Sequence, residues 1–377
     1  MKTCGIQRWI TLGVAIILLG ISGGGIYKNM PLRTQIYRSI FKGNWNMTCD
    51  GDTVYATGYC GIRKYLVEKG EAVLLAENET FLRHRIVGHG CAIMGNHLFL
   101  ACRSYLAGPY QNDKADYEGE LVVLDKTNLK VVSEFSLPSK MNDAELSDSI
   151  LVLSGINRFY LFDVSQPAFP VKLHEHISSV YKEYQGCATW KESGRRFVAF
   201  TLFTQGIDIW DITDTSSPRF VKNIALSDIC TGNKYIHSLD IKYQKPNLYA
   251  TLAPMPQKYF QNEDVRGVVQ INVTDMDSIV SKAYTIPREY YWKPMPGDSH
   301  PKSIAIFDNK IYLSAATSGA AVFNMSGDSL VYKELVEISS SWNQIYPIVV
   351  TNSGYLVSGD WNWNKIHVKQ ISKNGTK

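Results

Sequence analysis

An all-β fold built from a repeated unit is what this 377-residue chain predicts, on three observations. Tyr (22) and Trp (8) are abundant, and both suit pleated strands. Few long stretches carry the three-to-four spacing of an amphipathic helix. One short phrase also returns along the chain: an alternating apolar strand that ends in Asp or Asn, with Ser or Thr two places on. The hydrophobic share of 45% and the charged share of 20% belong to a packed protein, which sets disorder aside.

The N-terminal hydrophobic helix stands apart from the repeats. After a tail of residues 1–8 comes Trp9 to Tyr27, WITLGVAIILLGISGGGIY, without a charge. As a helix it would span roughly 28 Å, close to the thickness of a bilayer core. Two readings stay open. An uncleaved transmembrane anchor would use all of 9–27, whereas a signal peptide would use 10–19 and end near Ser22, Gly23 and Gly24. Either makes the protein membrane-anchored or secreted, with its large domain extracytoplasmic. Residues 28–44 follow as a linker. Within it TQIYRSIF (34–41) alternates like an outer strand and is expected to pair with 365–371, closing the fold.

The remainder, 45–377, repeats a hairpin followed by a third strand. The hairpins are MTCDGDTVYATG (47–58), CAIMGNHLFLAC (91–102), AELSDSILVLSG (144–155), CATWKESGRRFVAFT (187–201), SLDIKYQKPNLYATL (238–252), IAIFDNKIYLSAA (304–316) and IVVTNSGYLVSGD (348–360). Their turns (DGD, GN, SD, DN, NSG) use residues that tolerate positive φ. The third strands include LVVLDKT (121–127), FYLFDVS (159–165), IDIWDIT (207–213), VVQINVT (268–274) and AAVFNMS (320–326), with weaker copies at 62–70 and 365–372. A period of roughly 40 to 60 residues with three or four strands each is that of propeller blades, so the expected fold is a seven-bladed β-propeller. Asp125, Asp163, Asp211, Asn272 and Asn324 end their strands at one place. There the side chain can bond backbone amides just ahead, which makes them turn residues and not paired catalytic carboxylates.

That phrase, an aliphatic strand followed by D-[VI]-[ST]-x-P-x-x-P, resembles the LVIVD-repeat family of β-propellers. The likeness is clear over 143–225, extends to 88–132 and 300–335, and is weak at 45–75 and 346–372. Asn272 and Asn324 depart from the family's Asp, and their repeats lack the Pro. The resemblance implies a propeller of secreted or surface type. It implies no reaction, because propellers serve as scaffolds for binding and for catalysis alike.

A net charge of +4 is too small for the clustered basic face of a nucleic-acid binder, so no nucleic acid is expected. Of seven cysteines, Cys4 precedes the apolar run. The other six (Cys49, Cys60, Cys91, Cys102, Cys187, Cys230) permit disulfides but equally suit buried thiols. No phosphate loop, HExxH or GxSxG is present.

Two places can carry function. The first strand of each blade lines the central channel, and its leading residues gather at one mouth: His89, Asp143, Gln185, Cys187, His237, His300 and Tyr346. These form a candidate ligand-binding mouth needing no cofactor. An alternative makes His89, His237 and His300 the ligands of a transition metal in a metal-dependent enzyme. The second place is a set of long insertions, 103–120, 253–267 and 286–299. They carry Tyr105, Tyr110, Tyr259, Tyr290, Tyr291 and Trp292, residue types suited to protein or carbohydrate contact. The expected role is a binding or interaction module.

Overall fold

The structure, a computed structural model, describes residues 44–58, 61–78, 86–104, 119–230, 236–254, 265–287, 301–315, 319–338, 345–360 and 365–371. They form seven antiparallel sheets, one for each expected hairpin and its third strand. Blade 1 comprises β1 (Asn44–Asp50), β2 (Thr53–Gly58), β3 (Gly61–Glu68) and β4 (Glu71–Asn78). Blade 2 comprises β5 (Ile86–Met94), β6 (His97–Ser104), β7 (Gly119–Asp125) and β8 (Val131–Leu137). Blade 3 comprises β9 (Met141–Ser147), β10 (Ile150–Gly155), β11 (Arg158–Asp163) and β12 (Val171–Ile177).

Blade 4 comprises β13 (Cys187–Glu192), β14 (Arg195–Thr201), β15 (Ile207–Asp211) and β16 (Arg219–Ile224). A single helical turn, α1 (Leu226–Ile229), leads out of it. In blade 5 the first strand is broken into β17 (Ile236–His237) and β18 (Ile241–Gln244), both paired with β19 (Asn247–Pro254); β20 (Gly267–Asn272) and β21 (Val280–Thr285) complete it. Blade 6 comprises β22 (Ile304–Phe307), β23 (Lys310–Ser314), β24 (Ala320–Ser326) and β25 (Ser329–Val336). Blade 7 has β26 (Ile345–Val350), β27 (Tyr355–Asp360) and β28 (Ile366–Gln370) among the described residues.

Burial explains why each strand reads as it does. The second and third strands of a blade lie between two neighbouring blades, so both of their faces are dry. Thus β10 and β15 are buried at every position, whereas the outermost β12 is nowhere buried. Seven hydrophobic clusters fill the seven gaps between blades. Tyr160 and Leu151 of blade 3 meet Phe99 and Leu121 of blade 2. Between blades 3 and 4, Phe159 stacks on Phe200 at 4.9 Å and meets Trp210 edge-on at 5.1 Å. The last gap joins Val349 and Val357 of blade 7 to Met47, Val54 and Ala56 of blade 1, and this packing, with the Ser353 amide donating to Asp52 Oδ1 at 2.8 Å, brings the ring full circle.

The turn chemistry follows its sequence. At the Asp308–Asn309 hairpin both residues hold positive φ (49° and 54°), the demand of a two-residue turn on a twisted ladder. The strand-ending phrase also acts as a turn: Oδ1 of Asp125, Asp163, Asp211 and Asn272 accepts the amide two residues on, at 2.7 to 3.0 Å. Asn324 departs from this, its Oδ1 accepting no bond among the described residues. Asp211 is also gripped by Arg195 Nη2 at 2.6 Å. Burial works against its charge, but bonds from Thr213 and Arg195 prevail and hold its carboxyl down to about 2.

No helix among the described residues is long and apolar enough to cross a membrane. The expected span 9–27 and the strand 34–41 lie outside the described residues.

Candidate functional site

The inner strands β1, β5, β9, β18, β22 and β26, with the lead into β13, surround a cavity of about 440 Å³ on the propeller axis. Its position follows from how each inner strand begins. The pairing of β1 with β2 skips a residue between Asn44 and Asn46, that of β5 with β6 between Gly88 and Gly90, and β9 and β26 shift likewise. These bulges peel the strand's first residues toward the axis and leave amides without ladder partners.

In blades 4 to 6 a hydroxyl near the end of the second strand accepts the amides that lead into the inner strand. Gly186 N donates to Thr201 Oγ1 at 2.9 Å, and the amides of Leu239 and Asp240 both donate to Thr251 Oγ1 at 3.1 Å. The amides of Lys302 and Ser303 donate to Ser314 Oγ at 3.2 and 3.0 Å. Thr57, Cys102, Ser154 and Ser358 stand at the corresponding end of their own second strands, and all seven residues are fully buried.

Two aspartates fasten one inner strand to the next. Asp143 Oδ1 accepts the Ala144 amide at 2.9 Å, and its Oδ2 accepts the Cys187 amide of the following blade at 3.0 Å. Asp240 repeats this two blades later, accepting the Ile241 amide at 2.8 Å and the Ile304 amide at 2.9 Å. Ser303 takes the same part toward Ile348 at 3.3 Å. Between blades 4 and 5 the backbones themselves come close. A Cβ on Gly186 would lie 2.7 Å from Leu239 O, so only glycine lets blades 4 and 5 approach this closely.

The cavity wall has two characters. Blades 3 to 5 supply Asn142, Asp143, Glu145, Gln185, Asp240 and Lys242, and Lys302 joins them from the start of blade 6. Blades 6, 7 and 1 supply mostly apolar residues, Ile304, Ile306, Ile348, Val350 and Met47 among them, together with Asn46, Thr48 and Ser303. Glu145 lies two residues beyond Asp143, and Lys242 two beyond Asp240, so each pair shares one strand face. Lys242 Nζ lies 3.6 Å from Asp240 Oδ1. Burial raises Asp143 to about 6 and Glu145 to about 7, despite the attraction of Lys242. Burial would lower the Lys242 ammonium, yet Asp240, Glu145 and Asp143 outweigh it and push its pKa above the usual lysine range. Two carboxyls of this wall therefore titrate close to neutral pH.

Of the residues expected at the mouth, Asp143 and Gln185 line the cavity. Cys187 lies behind the wall, fully buried, its Sγ 3.8 Å from Asp143 Oδ2. His237 is 1% exposed, packs at a tilt against the Phe203 ring at 4.8 Å and lies off the cavity wall. Burial, with Lys302 nearby, lowers its pKa to about 3. The reason for its placement is register: Asp240, not His237, pairs beside Thr251 as Asp143 pairs with Ser154. The backbone of His89 is the extra residue of the β5 bulge, and Tyr346 lies within the β26 irregularity; their side chains, and all of His300, lie outside the described residues. Among the described residues no group of three His, Cys, Asp or Glu is placed to hold a metal. Cys49, Cys91, Cys102, Cys187 and Cys230 are free thiols, each raised in pKa first of all by burial and so poorly nucleophilic.

Glu145, Asp240 and Lys242 escape a reading that looks for histidines. Their signal was a two-residue spacing, Asp-x-Glu in one inner strand and Asp-x-Lys in another. The aromatic loop residues Tyr105, Tyr110, Tyr259, Tyr290, Tyr291 and Trp292 lie outside the described residues. The strand ends that bound those loops (Ser104 and Gly119, Pro254 and Gly267, Thr285 and Ile304) all sit at the end of the propeller where the inner strands begin.

No family model and no curated protein matches the chain. Among solved structures, a chain of the Mitotic Checkpoint Complex aligns with a TM-score of 0.57 at 10% identity, covering 88% of this chain and 89% of that one. The computationally designed Ika8 protein aligns with a TM-score of 0.51 at 12% identity, covering 87% and 83%. At these identities the likeness is one of fold, and the chain is a seven-bladed β-propeller.

Proposed function

We propose that this chain is an exported or membrane-anchored β-propeller of LVIVD-repeat type that works as a binding module, taking a small ligand into its axial cavity. The observation that carries the reading is the cavity wall, which is charged on one side and largely apolar on the other. Its volume of about 440 Å³ falls within the range of small-molecule sites. A channel that served only as scaffold would gain a strand tie from Asp143 but nothing from Glu145, which takes no part in the tie and whose ionisation its surroundings disfavour. The repeat phrase supports the family reading, and the apolar run 9–27 supports attachment to, or passage across, a membrane. The long insertions, whose bounding strand ends lie where the inner strands begin, are the proposed contact for a protein or carbohydrate partner.

Ligand-observed NMR with a mixed library of small amines, acids and neutral compounds tests the cavity, using the chain and its Thr48→Trp variant. Thr48 lines the cavity, and an indole there fills it. Ligands that bind the parent and not the variant place the site on the axis. A library without any such ligand would sink the reading.

A further inference from the structure

We propose that the ligand is a primary ammonium carried on a small apolar body, its charge held on the blade 3 side of the cavity and its body against Ile306 and Val350. This deepens the axial-cavity reading above and rests on it.

Acceptors outnumber cations on the polar wall, three carboxylates against Lys242 and Lys302. Asp143, Glu145 and Asp240 face the cavity, and Lys242 is already engaged by Asp240 at 3.6 Å. Asn142 adds one more: it lines the cavity, is 4% exposed, and spends its amide Nδ2 on Tyr184 O at 2.8 Å. Its Oδ1 accepts no hydrogen bond among the described residues. A buried acceptor left over beside carboxylates calls for a donor, preferably a charged one. An anion would meet three carboxylates, with Lys242 already given to Asp240 and Lys302 outnumbered. A bare metal ion lacks a converging ligand set among the described residues and would leave the aliphatic half of the wall unused. A primary ammonium with an aliphatic tail satisfies both halves at once, donating to carboxylates and carbonyl while covering Ile306 and Val350.

The titration of the wall supplies a pH dependence. The groups facing Asp143 and Glu145 are Asp240 and Lys242 from blade 5, the Cys187 thiol from blade 4, and the Cys91 thiol from blade 2. An arriving ammonium favours the ionised carboxylates, so affinity rises as pH passes about 6 for Asp143 and about 7 for Glu145. An alkylammonium stays protonated throughout that window.

Isothermal titration of the full chain decides it, with 3-methylbutylamine as probe and 3-methylbutanol and 3-methylbutanoate as its neutral and anionic counterparts. Leucinamide and a Leu-Gly-Gly peptide separate a free small amine from the N-terminus of a peptide. The amine is expected to bind about tenfold or more tightly than either counterpart, and about tenfold more weakly near pH 5.5 than near pH 7.5. Glu145→Gln should weaken amine binding and flatten its pH profile, with a thermal melt confirming the fold; Glu145→Asp, which keeps the charge, should retain the preference for amine. Equal binding of the alcohol, or a Glu145→Gln variant that binds the amine as the parent does, overturns the inference while leaving the cavity as a site. Silence from every probe also overturns it. The axial-cavity reading itself falls only if the broader library yields no ligand that Thr48→Trp removes.

Discussion

Replacing Thr251 by Val keeps the volume and shape of the side chain and removes one oxygen. That oxygen accepts two amides, Leu239 N and Asp240 N, each at 3.1 Å, in a residue that is 0% exposed. After the change both N–H groups face a methyl group with no water to replace the lost acceptor. Each orphaned buried amide costs about 1–3 kcal/mol, so Thr251→Val should destabilise the fold by about 2–6 kcal/mol. Ser358 provides the control. It occupies the same place in blade 7, equally buried, but its Oγ has no hydrogen-bond partner among the described residues. Ser358→Ala should therefore stay within about 0.5 kcal/mol of the parent. Equilibrium urea unfolding followed by Trp fluorescence measures both, through the midpoint at unchanged slope. Equal effects from the two variants, or a Thr251→Val midpoint at the parent's value, would refute the view that these hydroxyls hold the splayed inner strands.

Further outcomes follow from other parts of the ring. Gly186→Ala places a Cβ 2.7 Å from Leu239 O and 2.9 Å from the Asp240 Cα, both backbone, so the blade 4–5 contact should loosen by about 1–3 kcal/mol in the same urea assay. Glu145 ionises in the fold near 7 against 4.5 when unfolded, so its charge costs stability as pH rises through that window. Glu145→Gln should accordingly be the more stable protein at about pH 8, by up to about 3 kcal/mol, with the gap closing below about pH 4.5; a gap that widens in acid would contradict the sign. The cavity reading expects elemental analysis of untagged protein to find copper, iron and zinc well below one per chain, and a one-to-one content would favour the histidine-metal alternative. Deleting residues 28–43 should lower the melting temperature if TQIYRSIF supplies an outer strand beside β28, and an unchanged melt would count against that strand.

How much of this was legible in the sequence depended on whether the signal was local. The hairpins were, because a tight turn such as Asp308–Asn309 and its flanking apolar runs lie within a dozen residues of one another. The strand-ending Asp was legible for the same reason: Asp163 meets the Ser165 amide two residues on. Asp143 and Gln185 were placed at the channel because they lead inner strands whose register their own hairpins fix. His237 was aligned with them, but blade 5 breaks its first strand in two, and the break carries Asp240 into the equivalent place. A two-residue strand leaves no periodicity to read. The row of buried Thr, Ser and Cys at the second-strand ends was present in the text of every hairpin. It stayed silent because a small polar residue near a strand end is ordinary until the amides that Thr201, Thr251 and Ser314 serve are known.

The repeat itself set the harder limit, since symmetry makes one position do different work in different blades. Asp143, Asp240 and Ser303 all tie one inner strand to the next through a side-chain oxygen, and a serine does this without adding charge to the axis. Where the fastening residue is an aspartate, the tie brings a carboxylate to the cavity wall as well. Its neighbour two residues on then decides the local balance, an acid at Glu145 and a base at Lys242. Structure and binding chemistry are therefore drawn from the same atoms. Removing Asp143 should loosen blades 3 and 4 and empty part of the ligand site together, whereas Glu145 takes no part in the tie and isolates the chemistry. The contrast between those two residues, adjacent on one face of β9, is what separates a wall that is charged because it must be fastened from a wall that is charged because it binds.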